Sequence, residues 1–290
     1  AAKRERERER EAREGEEEEM SSIRSSRKRD LTGKTVLITG ASAGIGEATS
    51  YFFAEEGCNL VLLARREDRL QEVKEECLCR NSGVKVSICP VDLLDRSSIQ
   101  GLLDLIPEEL QQVDILVNNA GLAKGYHTGW TTPLDAMDLM LDTNVKALVQ
   151  LTNLFLPGMV ERNSGHIINV GSIAGEDTYP MGALYCASKH AVHAFTDCLR
   201  KELMHTDVNV TIVAPGLVST EFFKVRLDGN EEMAAKVLEG NVALSPEDVA
   251  DCIVFAASRR SFVNVQHITL TSTHQAGVAH IHRETSAASE

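Results

Sequence analysis

The chain has 290 residues, 43% of them hydrophobic and 25% charged, enough for one large α/β domain or two small ones. A formal net charge of −13 argues against a nucleic-acid-binding body. No apolar run reaches the roughly 18 residues that a membrane-spanning helix needs. Seven cysteines, at 58, 77, 79, 89, 186, 198 and 252, show neither a C-x-x-C pair nor metal-ligand spacing, so reduced thiols in the cytoplasm and no metal are expected.

Residues 1–19 are almost entirely Arg and Glu and offer no apolar face to pack, which predicts disorder or a solvated, salt-bridged helix. The segment is too acidic for an organellar presequence and lacks the apolar core of a secretory signal. Folding is expected to begin near Leu31, with residues 1–30 taking no part in catalysis. From Lys34 short β-branched runs alternate with longer helical patterns. Strands are predicted at 35–39, 59–63, 84–88, 114–117, 165–170, 208–213 and 265–270. Helices are predicted at 44–56, 67–80, 95–105, 134–161 with interruptions, 183–205, 231–239 and 246–258. Residues 278–290, with His280 and His282, read as a solvated polar tail rather than a metal site.

Apolar strands alternating with helices imply an α/β domain over 31–277: a doubly wound, Rossmann-type, mostly parallel seven-stranded sheet covered on both faces. Right-handed crossovers bring the strand C-termini to one edge, where such sheets bind their ligands. Gly40, Asn118, Ser172 and Pro215 all fall at strand ends along that edge.

The turn Gly40-Ala41-Ser42-Ala43-Gly44-Ile45-Gly46 joins the first strand to the first helix. Its glycines let backbone approach a pyrophosphate that rests on the helix N-terminus. The second strand ends Leu63-Ala64-Arg65-Arg66, with no acid before Glu67. An acid there would hold the ribose 2′-hydroxyl of NAD, whereas guanidinium groups suit a 2′-phosphate, so Arg65 and Arg66 point to NADP(H). Asp92, followed by Leu93, is placed to touch the adenine or to cap the next helix.

Lys189 follows Tyr185 by four residues, so both project from one helix face, with Ser172 upstream. A phenol has a pKa of about 10, and a neighbouring ammonium is expected to favour the phenolate and make proton exchange with a carbonyl or alcohol oxygen feasible.

Thr39 to Gly46, Asn118-Asn119-Ala120-Gly121, Asn144, Gly171-Ser172, Tyr185-Cys186-Ala187-Ser188-Lys189 and Pro215-Gly216 together resemble the short-chain dehydrogenase/reductase family over roughly 33–277. The resemblance implies that Tyr185 exchanges the proton, Ser172 polarises the substrate carbonyl, Lys189 tunes Tyr185 and holds the nicotinamide ribose, and Asn144 holds a water linking Lys189 to solvent. It also implies cofactor contacts from Ser42, Ala43, Ile45, Leu93, Asn118, Ala120, Gly121, Pro215, Gly216, Val218 and Thr220. Leu156 to Asn163, Gly171 to Gly175, Pro215 to Phe222 and Val225-Arg226-x-x-Gly229-Asn230-Glu231-Glu232 look like the NADP-dependent 3-hydroxy acid (serine or allo-threonine) dehydrogenases. In that reading Arg226 either pairs with a substrate carboxylate or is a surface-loop arginine. A carbonyl reductase for neutral ketones or aldehydes, and an NADP-binding interaction protein, are the competing readings. The resemblance implies a small-molecule substrate and a homo-oligomer, commonly a tetramer, packed through helices at 144–161 and 183–205.

Overall fold

A computed structural model describes residues 28–283. The Arg/Glu-rich segment and the last seven residues, on which two of the expectations above fall, lie outside them. Residues just before Leu31 already pack on the body of the described chain: Lys28 pairs with Glu56 at 2.6 Å, and the Arg29 amide donates to the Ser258 carbonyl at 2.7 Å.

In chain order the elements are β1 (Thr35–Thr39), α1 (Gly44–Glu55), β2 (Asn59–Ala64), α2 (Glu67–Arg80), β3 (Val86–Pro90), α3 (Arg96–Gln100), α4 (Leu102–Leu105) and β4 (Ile115–Asn118). The chain continues with α5 (Leu134–Leu141), a π-helical turn (Asp142–Lys146), α6 (Ala147–Glu161), β5 (Gly165–Val170), α7 (Ala183–Glu202) and β6 (Val208–Pro215). It closes with α8 (Phe222–Arg226), α9 (Glu231–Leu238), α10 (Pro246–Ala257) and β7 (His267–Leu270). Most boundaries fall within two or three residues of the pattern. The helix expected over 95–105 is cut at Gly101, which has lost helical ψ and ends α3. The third strand begins at Val86 rather than 84, because the Asn81 side chain folds the preceding turn by accepting the Gly83 amide at 3.0 Å.

The seven strands are all parallel in the order β3-β2-β1-β4-β5-β6-β7, the expected doubly wound sheet. Strand alternation divides the core into two layers. Val36, Ile38, Leu60, Leu62 and Val117 pack with Phe53 of α1 and Val249 and Ile253 of α10. Leu37, Val61, Leu63, Leu116 and Ile167 face the other way, against Leu151 and Phe155 of α6 and Leu199 of α7. Each fully buried side chain of this size contributes roughly 1.5–3 kcal/mol. Because β2 and β4 leave β1 on opposite sides, the loops after β1 and β4 diverge and open a crevice at their C-terminal ends. No helix among the described residues is long and apolar enough to cross a membrane.

Candidate active site

That crevice is a cleft of about 480 Å³. At one end, Gly40 and Gly44 hold left-handed φ values of 65° and 56°, which glycine adopts without strain. Ala43 at the N-cap of α1 supplies no side-chain cap, so the first amides of the helix remain available to an anion. Gly46 does not line the cleft; a Cβ there would sit 2.3 Å from the Gly40 carbonyl oxygen, so it allows the helix to pack against its own turn. Thr39 Oγ1 accepts the amides of Asn119 and Ala120 at 3.0 and 2.9 Å, and Asn119 Nδ2 donates to the Thr39 carbonyl. The β4 loop is thereby fastened to the glycine-rich turn.

The cofactor residues expected from sequence separate into two groups. Gly40, Ser42, Ala43, Gly44, Ile45, Arg66, Ala120, Gly121, Pro215, Gly216, Val218 and Thr220 line the cleft. Arg65, Asp92, Leu93 and Asn118 do not. Arg65 is exposed beyond the rim, Asp92 caps its own loop by accepting the Leu94 amide, and Leu93 packs against the lower core layer. Asn118 lies beneath the floor, donating to Asn169 Oδ1 at 2.9 Å and to Thr152 Oγ1 at 3.3 Å. Arg66 Nη2 reaches the Ser42 carbonyl and hydroxyl, each at 3.3 Å, and Glu221 at 3.0 Å. Glu221, from a segment distant in sequence, thus pairs with this arginine.

At the other end Ser172, Tyr185 and Lys189 line the same cleft. Ser172 caps a 3-10 turn, its Oγ accepting the Ala174 amide at 3.1 Å, and also hydrogen-bonds Tyr185. Lys189 Nζ donates to the Val170 carbonyl at 2.9 Å, and burial draws its pKa down to about 8. The expectation of an acidified phenol is corrected here. Burial pushes the Tyr185 pKa up, and the Ser172 hydrogen bond offsets only part of the rise. The physical reason is that both groups are desolvated and the ammonium is directed at a backbone carbonyl.

Asn144 occupies the π-helical turn, 1% exposed, outside the cleft wall. Its Oδ1 accepts the Leu122 amide at 2.8 Å, while Nδ2 donates to the Leu122 carbonyl at 2.8 Å and to Ser188 Oγ at 3.0 Å. Ser188 in turn donates to the Tyr185 carbonyl at 2.7 Å. The side chain clasps the β4 loop to the helix that bears Tyr185 and Lys189.

Arg226, at the end of α8, is 3% exposed, which excludes the surface-loop reading. Its Nε donates to the Gly125 carbonyl at 3.0 Å and Nη1 to the Tyr179 hydroxyl at 2.8 Å. The guanidinium lies 3.7 Å from the Tyr126 ring centroid. Nη2 makes no hydrogen bond among the described residues, and the group borders the cleft.

The short chain dehydrogenase family matches this sequence over residues 34–231. The chain belongs to that family. An NADP-dependent 3-hydroxy acid dehydrogenase of Schizosaccharomyces pombe is 40% identical over 257 residues, 88% of this chain and 98% of that protein. Sulfoacetaldehyde reductase 2 of Chromohalobacter salexigens is 40% identical over 83% of this chain and 95% of its own length. The closed form of a serine dehydrogenase complexed with NADP+ superimposes with a TM-score of 0.79 at 39% identity, covering 86% of this chain and 100% of that one.

Several wall residues of this short chain dehydrogenase escaped the sequence reading. Tyr126 and Tyr179 come from loops without periodicity, and Phe222 and Phe223 from a helix too short to show a pattern. Asn119 lies within the Asn-Asn-Ala-Gly motif, but only the fold distinguishes it from buried Asn118. For residues 278–283, the described part of the expected polar tail, the wholly solvated reading is corrected. Gln275 Oε1 accepts the Leu217 amide at 2.7 Å, and bridges join Gln275 to Ile281 and Asn241 to Arg283. Those tethers lay Val278, Ile281 and Arg283 along the cleft instead of leaving them wholly in solvent.

Proposed function

We propose that the protein is an NADP-dependent oxidoreductase that transfers a hydride between the nicotinamide and the C3 hydroxyl or keto group of short 3-hydroxy acids, serine-like or 3-hydroxybutyrate-like. One observation carries the reading: Ser172, Tyr185, Lys189 and Arg226 border the same cleft as the glycine-rich turn and Arg66. The names of the S. pombe relative and of the NADP+-bound serine dehydrogenase support it.

The dinucleotide fits the residues present. Two left-handed glycines, an uncapped helix N-terminus and Arg66 follow one another along one wall, matching pyrophosphate and then 2′-phosphate. The hydride chemistry belongs to the nicotinamide. Ser172 Oγ orients and polarises the substrate oxygen. The raised pKa keeps Tyr185 protonated, the form that delivers a proton to a nascent alkoxide. Lys189, buried with a pKa near 8, contributes positive charge beside that oxygen and is poised to accept and release protons near neutral pH. Asn144 keeps Lys189 and Tyr185 in place through Leu122 and Ser188, a positioning role beside the water-holding role that the family resemblance implies. Arg226 Nη2 is assigned the substrate carboxylate. Seven free thiols suit a reducing compartment, and half-buried Val149, Leu154 and Phe195 on α6 and α7 suit packing against further copies, so the proposal extends to a cytoplasmic homotetramer.

A panel of short 3-hydroxy acids and their methyl esters with NADP+ tests this reading. Arg226→Leu should lower kcat/KM at least about tenfold more for the acid than for its ester. Equal losses would remove Arg226 from recognition, and no preference of the unmodified protein for acid over ester would favour a reductase of neutral aldehydes and ketones.

A further inference from the structure

Outside the cleft wall, three side chains from three elements converge. Glu176 follows the 3-10 turn behind Ser172, His193 lies on α7 one turn beyond Lys189, and His267 opens β7. One ligand-capable atom of each lies within 4.8 Å of the other two. Glu176 Oε1 is 2.7 Å from His267 Nε2, and Thr269 Oγ1 donates to the same carboxylate oxygen at 2.8 Å. The His193 and His267 rings meet edge to face with centroids 5.4 Å apart. Nε2 of His193 is buried and has no hydrogen-bond partner among the described residues. A Cβ on either Gly171 or Gly175 would fall 2.5 Å from that nitrogen, so glycine at both positions is what lets the ring pack there. Leaving a buried imidazole nitrogen unpaired is unfavourable, and polar groups stranded in this way commonly mark a missing partner.

We propose that Glu176, His193 and His267 form a binding site for a divalent transition metal, with zinc the ion best suited to two imidazoles and one carboxylate. Bond lengths near 2.0–2.2 Å place the ligand atoms of a tetrahedral site roughly 3.3–3.5 Å apart. Glu176 and His267 are already closer than that, and both side chains are partly exposed, so binding requires them to part by several tenths of an ångström and turn toward His193. The ion sits among the three side chains, and water completes the coordination. It ties the turn after Ser172, the helix of Tyr185 and Lys189, and the last strand to one another without entering the cleft. Unlike the proposed hydride transfer, this site needs no cofactor.

The test uses the full chain, stripped with a chelator and titrated with zinc chloride alone by isothermal calorimetry and thermal melting. One equivalent should bind with a Kd of about 10 μM or tighter and raise Tm by several degrees. Cobalt(II) should give the visible absorption of a low-coordinate nitrogen and oxygen site. His193→Ala and Glu176→Gln should each weaken binding at least about tenfold, while His282→Ala, which alters the separate His274–His282 ring pair, should leave it intact. Glu176→Gln keeps the test decisive if His193→Ala does not fold. Absence of binding at about 100 μM zinc, or binding undiminished in both Glu176→Gln and His193→Ala, overturns the proposal.

Discussion

Lys189 and Tyr185 are held in the cleft against their own solvation. Burial weakens the lysine to a pKa of about 8 and raises that of the phenol, so each is driven toward its neutral form. A neutral phenol hydrogen-bonded to Ser172 is ready to donate, and removing its hydroxyl should cost more than removing a binding contact. Tyr185→Phe is expected to lower kcat for NADPH-driven reduction about 10³-fold while NADPH still binds, as read by quenching or enhancement of cofactor fluorescence. Retention of more than a tenth of the rate would remove Tyr185 from proton transfer. Arg66 and Arg65 offer a second residue-scale contrast, because only Arg66 borders the cleft. Arg66→Leu should raise KM for NADP+ at least about tenfold with little effect on NAD+, and Arg65→Leu should change it less than about threefold. Comparable losses from the two variants would contradict the assignment.

At the scale of elements, what was legible in the sequence is what local physics fixes. The glycines, the strand ends and the i,i+4 spacing of Tyr185 and Lys189 are set by neighbours in the chain, and they fall where the pattern placed them. What was illegible depends on segments distant in sequence. Glu221 comes 155 positions after Arg66 to share its guanidinium, and Arg226 packs between Tyr126 and Tyr179 of two separate loops. No periodicity announces such meetings. Nor did the lysine–tyrosine spacing reveal that the Lys189 ammonium would be bonded to the Val170 carbonyl. Gly46 shows how strictly the legible part is built, since a Cβ there meets backbone at 2.3 Å and Asn119 Nδ2 at 2.6 Å. Gly46→Ala is therefore expected to destabilise the fold by roughly 3 kcal/mol through overpacking, measured by urea unfolding. A loss below about 0.5 kcal/mol would mean that α1 slides away from β1 with ease.

For the molecule as a whole, the sheet interior carries a pH liability remote from the chemistry. His166 of β5 is fully enclosed, with Nε2 2.7 Å from Thr211 Oγ1 of β6, and burial lowers its pKa from 6.5 to about 3. The unfolded chain takes up this proton near pH 6.5, whereas the folded chain resists until about pH 3. The corresponding stability is complete above pH 6.5 and drains away as pH falls toward 3, up to on the order of 5 kcal/mol. His193 adds a shallower loss in the same direction, down to about pH 4. Urea midpoints should therefore fall between pH 7 and pH 5, and His166→Gln should flatten that slope. A midpoint that stays level over this range in the parent protein would refute the argument.

The π-helical turn at Asp142–Lys146 sets two interests of the chain against each other. One surplus residue rotates α6 by about 100° relative to an unbroken continuation of α5 and turns Asn144 inward. A deletion of a single amino acid there would give a more regular rod. It would also swing the carboxamide off Leu122 and Ser188, so shortening that repairs the helix would dismantle the anchorage of the reacting groups.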